Sequence, residues 1–247
     1  MPDQPNPTGE LVLVRHGEST FNAEQRFTGL LDVPLSPRGL QQCHEAAELL
    51  IAEQTHPDRL ITTPLQRAWR TAEVIAERLG LPPAVQDWRL AERDYGALTN
   101  VPKRQALLML GEEAFFRLRR TMDGKPPPAD AEQVAGWAGL VAAGLGPLRP
   151  GMSESLREVI DRIRPMWKEL QPDLAAGQHV VLVGHGNSLR AVCALVEQLP
   201  DEQVERLNLP TGQPLVYSFG RHRPTARYLD PHTAYRRAAV VAAEGGT

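Results

Sequence analysis

Two short strings each place an imidazole directly behind a run of aliphatic residues: Arg15-His16-Gly17 after LVLV, and Gly184-His185-Gly186 at the end of HVVLVGHG. A third cationic group, Arg67, lies just beyond RLITT in the string ITTPLQR. An unprotonated imidazole attacks phosphorus and splits one difficult transfer into two easier ones through a phosphohistidine, and His16 is the expected nucleophile. A phosphoryl group in transfer spreads its charge over three equatorial oxygens, so catalysis rests on position and on donors around them. The planar donor forks of Arg15 and Arg67 suit that task. His185, if protonated, adds a further positive donor, and a helix starting at Asn187 offers oriented N–H groups. Gly17, Gly184 and Gly186 permit close approach of a phosphate to the backbone.

For these groups to meet, the aliphatic runs must be neighbouring strands. LVLV and HVVLV have the unbroken apolar form of strands buried on both faces of a parallel sheet. Ser36-Pro37 supplies an N-cap and first-turn proline, after which Leu40, Cys43, Ala47 and Leu50 recur at helical spacing. Thr63-Pro64 opens a second helix with Leu65, Ala68, Ala72, Ile75 and Leu79 on one face and Gly80 as its stop. Ser155 with Glu158 predicts a capping box, followed by a core-facing helix through Leu156, Val159, Ile163, Met166 and Leu170. PLVYSF and ARYLD, flanking GRHRPT, read as an edge hairpin. This alternation predicts a three-layer α/β/α sandwich with a mainly parallel sheet, whose ligands bind beyond the carboxyl ends of the strands. There His16 and His185 are expected to meet.

Between about 93 and 151 the alternation breaks into helical pieces, PPP and a Gly/Ala-rich stretch, read as a cap inserted in one domain spanning 11–235. Residues 1–10 and 236–247 are expected to be flexible ends. A formal net charge of −3 argues against non-specific nucleic-acid binding, so an anionic ligand needs a local basic site. No apolar run approaches the roughly 20 residues of a membrane helix, and the polar, proline-rich start lacks a basic-then-apolar leader, so a cytoplasmic protein is expected. Cys43 and Cys193, each inside a helical apolar pattern, read as core residues rather than a disulfide or metal pair. Trp69, Trp88 and Trp167 likewise read as packing residues. By residue type alone, Glu92 and Asp94 are solvated loop acids, and Lys103, Arg119 and Arg120 a helical solvent face, although lysine occurs only three times in the chain.

The string RHGESTFNAEQRFTGLLDVPLSPRG resembles the phosphohistidine signature of the 2,3-bisphosphoglycerate-dependent phosphoglycerate mutases, within the histidine phosphatase superfamily. The resemblance continues through TTPLQRAWRTAEVI, WRLAERDYGAL, FFRLRRTMDGKPPP, SESLREVIDRIRPMW, VGHGNSLRAV and LNLPTGQPLVY, and so covers Leu11 to Phe219. RHG alone marks the superfamily; RFTG, ERDYGAL and RR followed by PPP narrow it to the mutases. The resemblance implies that His16 is phosphorylated, that Arg15, Asn22, Arg67 and His185 surround the phosphoryl group, and that Glu92 donates and accepts a proton. It further implies that Thr28, Gly29, Tyr95, Lys103, Arg119, Arg120 and Asn187 surround the rest of the substrate. On this reading 3-phosphoglycerate and 2-phosphoglycerate are the substrates of a glycolytic and gluconeogenic step. 2,3-Bisphosphoglycerate is then the primer, no metal is needed, and the protein is a homodimer or homotetramer.

The chain departs from the family pattern at three places. Thr99-Asn100-Val101-Pro102 precedes Lys103 where a polar, glycine-containing turn is usual, the text between Pro128 and Gly151 is dissimilar, and Phe21 stands where tryptophan is common. Three readings follow: a mutase, a phosphatase of small phosphate esters using the same His16, and a non-catalytic interaction protein. The last needs a missing catalytic group, and none is missing.

Overall fold

The computed structural model describes residues 9–220 and 223–243. Strands β1 (Glu10–Arg15), β2 (Arg59–Thr62), β3 (Val85–Gln86), β4 (His179–Gly184), β5 (Leu215–Ser218) and β6 (Thr225–Tyr228) form one sheet in the order β3-β2-β4-β1-β5-β6. The first four strands in that order run parallel, and β5 is antiparallel to both β1 and β6. The β5–β6 pair is the hairpin expected at the edge; positions 221 and 222 of its turn lie outside the described residues.

Alternation along β1 divides the core. Leu11 and Leu13 face one layer, where α7 (Leu156–Ala175) packs on α8 (Gly186–Glu197), while Val12 and Val14 face the layer of α2 (Pro37–Ala52) and α3 (Gln66–Leu79). Helix starts and stops follow their local chemistry. Ser36 Oγ accepts the Gly39 N–H at the head of α2, Ser155 and Glu158 close a capping box on α7, and Gly80 ends α3 in the left-handed region at φ 68°. Cys43 and Cys193 are buried free thiols. Of the tryptophans, Trp167 is buried whereas Trp69 and Trp88 are only partly covered, and Trp137 packs with Leu31 and Val33.

Two sequence expectations need correction. In α2, Leu40 points to solvent and Gln42 is buried, because the first turn packs on the loop after β1 rather than on the sheet. The C-terminal segment from Arg236 is helical as far as Ala243, in α10 (Pro231–Ala243), tied down by Arg237 to Glu45 at 2.7 Å. The remainder of the expected tail, 244–247, lies outside the described residues, as do 1–8 of the expected flexible N-terminus; Glu10 already belongs to β1.

The 93–151 stretch contains α4 (Lys103–Leu110), α5 (Glu112–Arg120) and the short α6 (Ala131–Ala135). It packs over the mouth of the sheet through Tyr95, Leu98, Ala106 and Phe115, which enclose Phe27. Its first turn is stapled to the 25–27 loop. Phe27 N–H donates to Val101 O at 3.1 Å, and Asn100 N–H to Phe27 O at 2.8 Å. Asn100 adopts φ 66°, a conformation that asparagine tolerates better than most residues. The divergent Thr99–Pro102 stretch therefore delivers Lys103 to the site from a braced turn. The helix α1 (Thr20–Ala23) and the helix α9 (Asp201–Arg206) complete the rim.

Candidate active site

The register of two parallel strands assembles the centre. Arg15 of β1 pairs with Gly184 of β4, so the next residue of each strand, His16 and His185, emerges at the same level. His16 N–H donates to Gly184 O at 3.0 Å, and the two rings lie edge to face with centroids 5.0 Å apart. A cleft of about 440 Å³ opens above His16, lined by Arg15, Asn22, Thr28, Gly29, Arg67, Glu92, Tyr95, Lys103, Arg119 and Asn187, together with Arg26 and Phe27. Five cationic side chains thus face one carboxylate.

Each group is held by identifiable contacts. Arg67, fully buried, donates to Leu31 O at 2.7 Å and Gly29 O at 2.9 Å, so two of its five donors brace the 29–31 turn. Burial lowers its pKa to about 10, which leaves it charged at neutral pH. Arg15 donates to Leu209 O at 2.8 Å. Asn22 closes a reciprocal capping box with Ser19, its Oδ1 accepting the Ser19 N–H at 3.1 Å, so its amide NH₂ remains for a ligand. Asn187 donates to Tyr95 Oη at 2.9 Å and accepts from Arg190 at 3.0 Å. Arg119 stacks its guanidinium 5.2 Å from the centroids of both Phe27 and Phe115. That cation–π geometry holds the guanidinium between the two rings at the edge of the cleft. Lys103 Nζ lies 3.3 Å from Gln25 Oε1.

Burial, with Arg67 and Arg15 nearby, holds the His16 imidazole well below its ordinary range, so it is neutral at physiological pH. Its Nδ1 lies 2.6 Å from Gly17 O. A carbonyl only accepts, so the ring proton sits on Nδ1 and Nε2 keeps its lone pair. His185 is likewise depressed by burial and by Arg67, and its Nε2 stands 3.0 Å from Thr63 Oγ1. The positive donor expected of His185 was conditional on its protonation, and burial together with the neighbouring cations disfavours that proton on both rings. An arriving phosphoryl dianion reverses that balance and favours a proton on His185.

Both histidines take up a proton near pH 6.5 in the unfolded chain and only at lower pH in the fold, so the unfolded state binds more protons in between. Stability contributed by the neutral rings is therefore complete above about pH 6.5 and is lost on acidification below it. Thermal melts from about pH 7.5 to 5.5 should show Tm falling with acid, and added inorganic phosphate should reduce the slope; a flat profile refutes the buried neutral pair.

Glu92 and Asp94 are not solvated loop acids. Glu92 is 9 % exposed, and its Oε1 accepts N–H from Arg93 at 2.7 Å and from Asn187 at 3.3 Å. The Asn187 N–H, in the first turn of α8, thus serves this carboxylate rather than standing open for phosphate. Asp94 is buried and braces the turn by accepting from Gly96 N–H and Ser153 N–H. Arg119 and Arg120, expected on a solvent face, are both buried, yet they diverge. Arg119 reaches the cleft, while Arg120 turns to the rim, donating to Asn208 Oδ1, Leu207 O and Glu205 O. Gly186 is the first residue of α8 and does not line the cleft. Sequence reasoning missed Arg26 and Phe27, although both belong to the quoted RFTG string, and the fully buried Arg93 and Arg190, which carry no local signal.

The family model of the histidine phosphatase superfamily (branch 1) matches residues 11–138 and 119–230. A 2,3-bisphosphoglycerate-dependent phosphoglycerate mutase of Nitratidesulfovibrio vulgaris is 44% identical, covering 95% of this chain and 97% of that protein. Phosphoglycerate mutase 1 of Saccharomyces cerevisiae is 40% identical over 96% of this chain and 98% of its own length. Among solved structures, a mycobacterial glucosyl-3-phosphoglycerate phosphatase superposes with a TM-score of 0.68 at 27% identity, covering 89% of this chain and 96% of that one.

Proposed function

The chain belongs to the histidine phosphatase superfamily, within the family of the 2,3-bisphosphoglycerate-dependent phosphoglycerate mutases, and from this we propose that it interconverts 3-phosphoglycerate and 2-phosphoglycerate through a phosphohistidine on His16. The observation that carries the substrate class is the charge of the cleft: Arg15, Arg26, Arg67, Lys103 and Arg119 against Glu92 alone. A ligand bearing a carboxylate and one or two phosphates balances that excess. No helix of the described residues is long and apolar enough to cross a membrane. From the kinship with the glycolytic mutases we place the reaction in the cytoplasm, as a step of glycolysis and gluconeogenesis.

In the proposed cycle, 2,3-bisphosphoglycerate primes His16, whose Nε2 carries the phosphoryl group. The free hydroxyl of a bound monophosphoglycerate attacks that phosphorus, the P–N bond breaks, and Glu92 Oε2 takes the hydroxyl proton, since Oε1 is already committed to two N–H groups. Arg15, Arg67 and Asn22 hold the oxygens in transfer, and their negative charge favours the protonated form of His185, which takes that proton from solvent when the anion binds and keeps it through the transfer. The doubly phosphorylated molecule turns round, and Nε2 of His16 attacks its other phosphorus while Glu92 returns the proton to the leaving oxygen. Lys103, Arg119, Tyr95, Thr28 and Asn187 hold the far end of the molecule during that turn, and the 93–151 segment acts as the cap that retains it.

The phosphatase reading has a specific support in the mycobacterial phosphatase's similar fold. One assay separates the two: conversion of 3-phosphoglycerate with and without 2,3-bisphosphoglycerate, with released phosphate followed in parallel. Isomerisation dependent on the primer and far exceeding hydrolysis is expected; hydrolysis without isomerisation overturns the mutase reading. Losing the Arg119 fork should cost a charge-assisted pair of about 1.5–3 kcal/mol at the non-reacting end. Arg119→Ala should therefore lower the ratio of isomerised product to released phosphate by at least about tenfold. Arg120→Ala, whose contacts are to the rim, should lower stability and leave that ratio unchanged; an equal fall in both variants removes Arg119 from the substrate.

A further inference from the structure

Gly17, which follows the nucleophile, is gripped at both of its peptide bonds. On its amino side, Gly17 N–H donates to Thr71 Oγ1 at 3.2 Å, and Thr71 Oγ1 in turn donates to Arg67 O at 2.7 Å. On its carboxyl side, Glu18 N–H donates to Gln42 Oε1 at 2.8 Å. Glu18 N–H and Gly17 C=O belong to one planar unit. Gln42 therefore holds one end of the very amide whose other end lies 2.6 Å from His16 Nδ1.

The identity of the Gln42 atom is not arbitrary, because only its carbonyl oxygen can accept from an N–H. The side chain is buried and confined: it is 3 % exposed, and a Cβ placed on Gly212 would stand only 2.8 Å from its own Cβ. Gly17 also backs directly on Gly39, where a Cβ on either residue would run into main-chain carbonyl oxygen. The amide can neither slide away from α2 nor rotate without breaking the Glu18 N–H bond to Gln42. Hydrogen bonds at the two ends of an amide polarise it and strengthen each other.

We propose that Gln42, with Thr71 on the other side of Gly17, is a positioning residue for phosphoryl transfer: by fixing the Gly17–Glu18 amide it keeps the ring proton of His16 on Nδ1 and aims Nε2 at phosphorus. Gln42 touches no reacting atom in this scheme, and its effect passes through the Gly17 carbonyl. The proposal rests on His16 being the nucleophile, as set out above.

Gln42→Met preserves length and approximate volume and removes the acceptor, whereas Gln42→Glu retains an oxygen for the Glu18 N–H. In single-turnover labelling from 2,3-bisphosphoglycerate, Gln42→Met should phosphorylate His16 about ten- to a hundredfold more slowly at saturating donor, with half-saturation little changed. Gln42→Glu should stay within a few-fold of wild type. Imidazole ¹⁵N NMR should show His16 protonated at Nδ1 in wild type and Gln42→Glu, and a population protonated at Nε2 in Gln42→Met. Wild-type rate and an unchanged Nδ1–H signal in Gln42→Met overturn the proposal. So does an equal rate loss in both variants with lowered Tm, which would make Gln42 a packing residue. Failure of the wild-type protein to take any acid-labile label would instead overturn the nucleophile assignment, while the NMR comparison still tests the role of Gln42.

Discussion

His16→Ala should take up no acid-labile phosphate from 2,3-bisphosphoglycerate and should lose isomerisation by at least about a thousandfold, since a covalent route without its nucleophile has no substitute of comparable rate. The geometry sharpens this expectation. The other imidazole at the centre, His185, is buried behind His16 with its Nε2 3.0 Å from Thr63 Oγ1, and does not line the cleft. His185 therefore cannot present that nitrogen to phosphorus without breaking an existing contact. The measurement is radiolabel incorporation followed by acid and alkali stability, with peptide mapping of any label that remains. Label retained on His185, or on any other residue at wild-type stoichiometry, would remove His16 from its role.

The second large effect is expected at Glu92. Replacement by Gln preserves shape and keeps an oxygen to accept the Arg93 and Asn187 N–H groups, so the turn and the start of α8 should survive. The atom that changes is the one left to exchange a proton with the substrate hydroxyl. Positioned general acid–base catalysis is typically worth about 10²- to 10⁴-fold, and isomerisation should fall by that amount with Tm nearly unchanged. Phosphorylation of His16 by the bisphosphate should fall in parallel, because its leaving alkoxide needs the same proton. A variant within about twofold of wild type in both steps would show that the carboxylate only braces the α8 N-terminus.

Much of this site was legible in one dimension because its logic is local. An aliphatic run that stops at Arg-His-Gly can be a buried strand ending at a crevice, and two such runs in an alternating α/β chain must end on the same side of a parallel sheet. His16, His185, Arg15 and Arg67 follow from that argument, as do the helix starts at Ser36 and Ser155, since a cap involves residues only three apart. The sequence also supplied the acidic overall balance, which requires any anion site to be a local concentration of cations.

Tertiary structure decided what depends on which groups become neighbours across the chain. Arg119 and Arg120 are adjacent in one string, but successive side chains on a helix diverge by about 100°. One accordingly lies between two phenyl rings in the cleft, and the other against the carbonyls beyond α9. The charge state of His185 was likewise not local: it depends on burial and on Arg67, 118 positions away in sequence, and these oppose the proton its role had suggested. Helical spacing assigned Leu40 to the core and passed over Gln42, because periodicity reports which side of a helix is covered only when the cover is apolar. The first turn of α2 is covered instead by the polar backbone of the nucleophile loop, so a glutamine is buried where a leucine is exposed. The residue types fixed which chemistry was available, and strand register and the meeting of distant loops fixed which atoms could perform it.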